Sequence, residues 1–238
     1  MKKAVAVFGT AVLAAVFSVG LTACSSAESI KSDVVTQEAW KQAFAEENFT
    51  NVRMEAEMSV STAGKAQGGK VDYTQTNRLT VVIAGDYEYY KVESEMTGKI
   101  LGVDVSDEEP VAEMYSARKA DGTYTMYTKD ASGNWIMSDS AVGVAADIIV
   151  GMIGSLSEIY ESYVYSEDRR GYVKADDLDG TEEVLKFKDG KLAAVWAQVE
   201  KPDFDDNDFT YAVQVIQTSS AMFTYGGQSL TLPQLTSA

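Results

Sequence analysis

The nine residues VRMEAEMSV (52–60) alternate strictly between apolar and polar side chains. The apolar residues are Val52, Met54, Ala56, Met58 and Val60. The polar residues between them are Arg53, Glu55, Glu57 and Ser59. Successive side chains of a strand point to opposite faces, so this pattern predicts a strand with one buried and one solvated face. Strands of this kind are typical of antiparallel sheets, which can leave one face in water.

Turn signals at short intervals predict that many such strands follow one another. Asp121-Gly122 and Asp189-Gly190 each separate two strand-like runs, and Asp-Gly is favoured in two-residue hairpin loops. Further turns are expected at Gly85-Asp86 and at 131–134. We therefore expect nine or ten strands joined mostly by short loops. Several tyrosines suit these strands and could also line an amphipathic pocket, namely Tyr87, Tyr89, Tyr124 and Tyr127.

Two segments have helical rather than strand periodicity. In 36–48, Thr36 can cap a short helix whose face carries Trp40 and Phe44. In 140–165, apolar residues at helical spacing form one broad face that is interrupted by glycines. The expected fold is of the α+β class: a curved antiparallel sheet, or half-open β-barrel, with an N-terminal helix and a long apolar helix packed on its concave face.

The N-terminus has the three parts of an export signal. Two lysines precede the apolar run 4–19, and LTAC then ends at Cys24, the only cysteine. LTAC resembles the lipobox of bacterial lipoproteins, whose cysteine receives a diacylglyceryl group and becomes the first residue after cleavage. The resemblance implies a signal peptide over 1–23, a membrane anchor on Cys24 and a location on the extracytoplasmic face of a bacterial membrane. An ordinary cleaved signal peptide, or a membrane helix with an incidental cysteine, is the alternative.

Residues 24–35 are expected to be the lipidated cysteine and a flexible tether, because SSAESIKSDVV is polar and has no strand or helix periodicity. The remaining residues, 36–238, contain no repeat and no proline-rich hinge. A single half-barrel domain over 36–238 is the simplest organisation.

The composition restricts the chemistry of the mature chain. It has no histidine, and lipidation would use the only cysteine, so the common catalytic triads and zinc sites are excluded. The acidic turn 202–208 lacks the glycine and the final glutamate of a calcium-binding loop. We therefore expect no enzymatic activity, no cofactor and no metal. Without the two signal lysines, 18 basic residues face 36 acidic ones, a formal charge of −18 that disfavours nucleic acid as a partner.

The order of the segments resembles the lipoprotein-carrier family and related mycobacterial cell-wall lipoproteins. The similarity is carried by EAWKQAF (38–44), NFTNVRMEAEMSV (48–60) and LKFKDGKLAAVWAQVE (185–200). Members of that family are half-open antiparallel barrels that curl around inserted helices and enclose acyl chains. The resemblance therefore implies a half-barrel that handles a hydrophobic ligand.

The alternating strand and the long apolar helix together predict a binding site for a lipid or another apolar molecule. We expect the helix to cover the mouth of the half-barrel and the ligand to lie between helix and strand. The expected contact residues are Val52, Met54, Met58, Val60, Ile149, Met152, Ile153 and Leu156. The alternative is a surface scaffold with a filled core that binds another surface protein through its sheet edge or acidic face. A cavity of several hundred Å³ would distinguish the two.

Overall fold

The fold is described from a computed structural model. The structure describes Ala27 and residues 29–66, 69–108, 111–146, 148, 149, 151, 156–174, 181–201 and 212–235. The strands in these residues are β1 (Asn51–Ala66), β2 (Gly69–Ala84), β3 (Tyr87–Ile100), β4 (Val103–Asp104), β5 (Asp107–Glu108), β6 (Ala112–Arg118), β7 (Tyr124–Lys129), β8 (Trp135–Ser140), β9 (Tyr163–Ser166), β10 (Gly171–Lys174), β11 (Thr181–Lys188), β12 (Lys191–Lys201) and β13 (Ala212–Tyr225).

All thirteen of these strands belong to one open, curved antiparallel sheet. Its spatial order is β8-β7-β6-β3-β2-β1-β13-β12-β11-β10-β9, with β4 and β5 both paired to β3. The predicted antiparallel sheet is confirmed, and it contains more strands than expected because several of them have only two to four residues. Strands that short contain too few residues for an alternating pattern to show.

The predicted hairpin turns are confirmed, and Asp189-Gly190 shows why that dipeptide was informative. Between β11 and β12 both turn residues have positive φ, 52° at Asp189 and 73° at Gly190. A two-residue hairpin turn of type I′ has a twist that matches the twist of its strands, and it needs positive φ at both positions. Gly adopts positive φ freely and Asp tolerates it.

The predicted N-terminal helix is confirmed but is shorter than expected. Helix α1 spans Gln37–Ala43, and the Thr36 hydroxyl accepts a hydrogen bond from the Ala39 N–H at 3.2 Å. A 3₁₀ helix over Glu46–Phe49 follows and leads directly into β1. One face of α1 therefore packs on the sheet through Trp40 and Ala43, which are both buried.

The predicted long helix over 140–165 is wrong at both ends. Ser140 still belongs to β8, and the segment closes with a 3₁₀ helix over Tyr160–Ser162 and with strand β9. Between them, helical conformation is described at five positions: 146, 148, 149, 151 and 156. The local apolar periodicity could not reveal that the terminal residues pair with distant strands. Asp147, Val150 and residues 152–155 lie outside the described residues.

The hydrophobic core lies on one face of the sheet, which we call the inner face; the opposite face is the outer face. Strand residues that contribute to it include Val52, Met54, Val81, Leu185 and Phe223. The other side of the core is formed by α1 and by buried residues of the 145–156 segment. The largest fully buried side chains in this cluster are Trp40, Phe187, Met54, Ile149, Leu185 and Leu192.

Candidate functional site

The predicted ligand residues divide into two groups in the structure. Val52, Met54, Ile149 and Leu156 are buried members of one packed core, with 0 to 8% of their surface exposed. They therefore pack as part of the core. Two others, Met58 and Val60, are half-buried and lie outside that cluster. Met152 and Ile153 lie outside the described residues, as does Cys24.

The four longest strands continue well past the core and pair with one another along their whole length. Strands β13, β1, β2 and β3 are adjacent in the sheet and have 14 to 16 residues each. The core contacts only the half of each strand near Val52. The remaining half carries Met58 and Val60 and extends to the far end of the sheet.

Among the residues whose side chains the structure describes, none on the inner face of these four extensions is charged. The register of the strands places the following residues there: Met58, Val60, Thr62 and Gly64 of β1; Gly69, Val71, Tyr73, Gln75 and Asn77 of β2; Ser94, Met96, Gly98 and Ile100 of β3; Val215, Gln217 and Ser219 of β13. We call this set the uncharged inner face. It combines apolar side chains with amides and hydroxyls.

The polar groups of the uncharged inner face are placed beside its apolar residues. The Ser94 hydroxyl donates to Asn77 Oδ1 at 2.6 Å, and the Gln217 amide contacts Met58 Sδ at 3.6 Å. Ser219 pairs with Met58 across the strands, and its buried hydroxyl has no hydrogen-bond partner among the described residues. A buried hydroxyl without a partner is energetically costly, and a polar group of a bound molecule could satisfy it.

The outer face of the same extensions has the opposite character. Arg78 lies between Glu57 and Glu95 and forms ion pairs with both, at 3.0 and 3.3 Å. These contacts, first that with Glu57, raise the pKa of Arg78. Farther along, hydroxyl pairs such as Ser59–Thr76 cross the strands at 3.3 Å. The charged and polar outer face of the extensions faces water, so the absence of charge is confined to the uncharged inner face.

A buried carboxylate that the sequence did not single out positions the segment over the core. Glu88 of β3 is 4% exposed, and its Oε2 accepts from the Ser116 hydroxyl and from the Ala145 N–H, both at 2.9 Å. The Ser116 hydroxyl also accepts from the Val144 N–H at 3.2 Å. These bonds hold residues 144 and 145 on the inner face. This arrangement could not be predicted from the sequence, because Glu88 and Ser116 become neighbours only through strand pairing.

The structure shows four surface clefts that are lined by described residues. Four clefts have volumes of about 330, 520, 750 and 370 Å³. Of the six predicted ligand residues that the structure describes, none lines any of these four clefts. Among the described residues there is no cluster of three metal-ligating side chains. The acidic turn at 202–208 is not part of the described structure.

No described helix is long and apolar enough to cross a membrane. No protein-family model matches the chain, and no curated protein matches it. Among solved structures, the chain is similar to a DUF1329 family protein from Desulfovibrio piger, with 10% sequence identity and a TM-score of 0.25. The match covers 81% of this chain and 94% of that chain. A similarity of this size carries no argument about function.

Proposed function

We propose that this chain is a membrane-anchored extracytoplasmic lipoprotein that binds a lipid or another apolar molecule on the uncharged inner face. The observation that carries the proposal is the absence of charge on that face. About a quarter of the residues are charged, 24%, yet four adjacent strands keep one face free of charge beyond the core. An apolar ligand requires such a surface, because burying an unpaired charge under it would be costly.

The proposed ligand position differs from the one expected from the sequence. Val52, Met54, Ile149 and Leu156 support the site from within the packed core, and the ligand lies farther along β1, beginning at Met58. From Met58 to Gly64 the strand extends about 20 Å, and three strand spacings give a width of about 14 Å. These dimensions suit an extended acyl chain. The Ser219 hydroxyl beside Met58 could bind its polar head.

The N-terminal segment supports attachment close to the bilayer. The Ser32 and Asp33 N–H groups donate to the carbonyls of Arg170 and Phe187 at 2.9 and 2.8 Å. The predicted tether 24–35 is thus docked on the sheet over its last residues.

Docking begins even earlier in the chain. Ala27 is buried, and its carbonyl accepts from the Lys186 ammonium group at 3.0 Å. Only three residue steps separate Cys24 from Ala27, a reach of at most about 11 Å. A lipidated Cys24 would therefore hold this end of the domain against the headgroups, and two acyl chains are enough for stable anchoring.

A matched pair of substitutions on β1 tests the ligand site. Val60→Asp places a carboxylate on the uncharged inner face, whereas Ser61→Asp places one on the outer face of the same strand. We expect Val60→Asp to weaken uptake of a fluorescent fatty acid at least tenfold and Ser61→Asp to leave it unchanged. Equal effects of both substitutions, or no uptake by the unsubstituted protein, would contradict the proposal. Mass spectrometry of lipids retained after purification provides an independent check.

A surface scaffold without ligand is the second candidate function. The packing of Val52, Met54, Ile149 and Leu156 favours it, since these four predicted ligand residues are buried in the core. Retention of no lipid, together with capture of a surface protein that depends on outer-face residues, would support the scaffold instead.

A further inference from the structure

The outer face becomes aromatic where the sheet approaches its β8 edge. Strand register places one row of side chains, Tyr89, Tyr115, Tyr127 and Met137, across β3, β6, β7 and β8. Tyr87 and Trp135 flank this row on the same face. We call these six residues the outer aromatic strip: Tyr87, Tyr89, Tyr115, Tyr127, Trp135 and Met137.

The strip is accessible, which is unusual for a group of this composition. Met137 and Tyr87 have 52% and 43% of their surface exposed, and the other four residues are half-buried. An antiparallel sheet normally places polar residues on its solvated face, as β1 and β2 do at Glu57 and Arg78. Clustered exposed Tyr, Trp and Met are typical of interaction sites.

A central ion-paired cluster holds the rings in place. Glu113 accepts hydrogen bonds from the hydroxyls of Tyr89 and Tyr115, at 3.1 and 3.5 Å, and from the Lys129 ammonium at 2.7 Å. Lys129 in turn lies 4.9 Å from the centre of the Trp135 ring. Burial, and next the Glu113 carboxylate, raises the pKa of both tyrosines, so their hydroxyls stay protonated donors at neutral pH. The strip is therefore preorganised.

The size of the strip limits what can bind there. Three strand spacings of about 4.8 Å and two steps of about 6.8 Å between successive side-chain rows give about 14 Å by about 14 Å. A stable folded partner, including a second copy of this chain, needs about 800 Å² on each side, several times this area. A short linear ligand fits the available surface better.

The shape of the strip favours a peptide over a sugar chain. The rings of Tyr89 and Tyr115 are 4.7 Å apart and inclined by 50°, and those of Tyr115 and Trp135 are 5.4 Å apart at 74°. Rings so inclined form ridges and slots instead of a plane on which sugar rings could stack. Proline-rich peptides in the polyproline II conformation dock into aromatic slots of this kind.

The spacing and charge of the strip agree with such a peptide. One polyproline II turn rises about 9.3 Å, close to two strand spacings of about 9.6 Å. Polyproline II carbonyls have no internal partners, and the Trp135 indole N–H can donate to one. Glu93 and Asp139 flank the strip as ion pairs with Lys91 and Lys119, so the strip itself is nearly neutral. The whole chain carries a formal charge of −16, and this net charge favours a basic residue beside the prolines.

We propose that the outer aromatic strip is a docking site for a short, basic, proline-rich peptide segment of another protein. The peptide crosses β3, β6, β7 and β8 along the row from Tyr89 to Met137, with about four or five residues in contact. The N-terminal segment docks on β10 and β11, at the opposite edge of the sheet. A partner can therefore occupy the outer aromatic strip while the N-terminal segment stays docked on β10 and β11. This site is independent of the uncharged inner face.

The test uses the full-length protein in detergent and fluorescein-labelled twelve-residue peptides that contain Pro-x-x-Pro and one terminal arginine. Fluorescence anisotropy should show binding that disappears when the prolines are replaced by alanine. Tyr127→Ala and Trp135→Ala should each weaken binding at least tenfold. Tyr124→Ala is the matched control, because Tyr124 lies on β7 but faces the inner side. It should change affinity less than twofold, and thermal unfolding confirms that each variant is folded.

Several results would overturn the proposal. Absence of peptide binding by the unsubstituted protein would do so, as would binding that is unaffected by Tyr127→Ala and Trp135→Ala. Binding of a neutral hexasaccharide that these two substitutions abolish would make the strip a glycan site. Sedimentation that shows a dimer broken by Tyr127→Ala would make it a contact between two copies. Uptake of fatty acid by the inner face is measured separately and does not affect these outcomes.

Discussion

Replacement of Trp40 should destabilise the whole domain, because this residue joins α1 to five other parts of the chain. Trp40 is fully buried. Its ring contacts those of Phe44, Tyr160, Tyr163, Tyr172 and Phe187, at centroid distances of 4.8 to 5.6 Å. Its indole N–H donates to the Leu156 carbonyl at 2.9 Å. The side chain thus links α1 to residue 156, the 3₁₀ helix over Tyr160–Ser162, β9, β10 and β11.

The expected loss follows from these contacts. Truncation of a buried Trp to Ala costs about 3 to 5 kcal/mol through lost burial and the cavity left behind. The Leu156 carbonyl would also lose its donor, at a cost of about 1 kcal/mol or more. We expect Trp40→Ala to lower the free energy of unfolding by about 4 to 6 kcal/mol, a large part of the stability of a typical domain. Trp40→Phe should cost about 1 to 2 kcal/mol, because it keeps most of the ring contacts and loses the hydrogen bond.

Urea unfolding followed by far-ultraviolet circular dichroism measures both changes. Trp135→Ala is the control, since Trp135 is half-buried on the outer face and should cost less than about 1.5 kcal/mol. Losses of similar size for Trp40→Ala and Trp135→Ala, or a loss below about 1 kcal/mol for Trp40→Ala, would refute the assignment of Trp40 as the centre of the core.

Three further changes test the anchor, the aromatic strip and the buried carboxylate. Cys24→Ala should leave an unprocessed or released protein, seen by fractionation and intact mass; normal processing with membrane retention would contradict lipidation. Burial opposes the charged form of Glu113, but hydrogen bonds from Lys129 and Tyr89 outweigh it and lower its pKa. The stabilisation from this lowered pKa is present above about pH 4.3 and is lost as pH falls through the folded pKa. Glu113→Gln should therefore destabilise the protein at pH 7 and much less at pH 3, measured by urea unfolding. Gly143→Ala should cost about 1 to 3 kcal/mol, because a Cβ there would collide with the buried Glu88 carboxylate; an unchanged unfolding midpoint would show that this segment is loosely held.

Local pattern was sufficient for the strands and turns but not for the ends of elements. The alternation at 52–60 predicted β1, and Asp189-Gly190 predicted the β11–β12 turn, because both signals depend only on neighbouring residues. The helix predicted over 140–165 was wrong where Ser140 pairs with Tyr124 and Tyr163 pairs with Lys174. Pairing with a distant strand can override local helical periodicity, and the sequence contains no record of that pairing.

The candidate site was only partly predictable for the same reason. Met58 and Val60 were expected on the ligand-binding face through alternation alone. Their separation from Val52 and Met54 depends on where α1 and the 145–156 segment end on the sheet, which is a tertiary property. The outer aromatic strip depends even more on register, since Tyr89, Tyr115 and Tyr127 become neighbours only when β3, β6 and β7 pair.

The arrangement of the two proposed sites on one sheet explains how a small domain could serve both. Each strand presents alternate residues to opposite faces, so β3 contributes Met96 to the uncharged inner face and Tyr89 to the outer aromatic strip. A substitution on one face leaves the side chains of the other face in place. In the double variant, the effect of Val60→Asp on fatty-acid uptake and the effect of Tyr127→Ala on peptide binding should each be the same as in the single variant. The two residues lie on opposite faces and on strands separated by β2, β3 and β6. Loss of peptide binding in Val60→Asp alone would instead mean that ligand on the inner face changes the curvature of the sheet and controls the outer site.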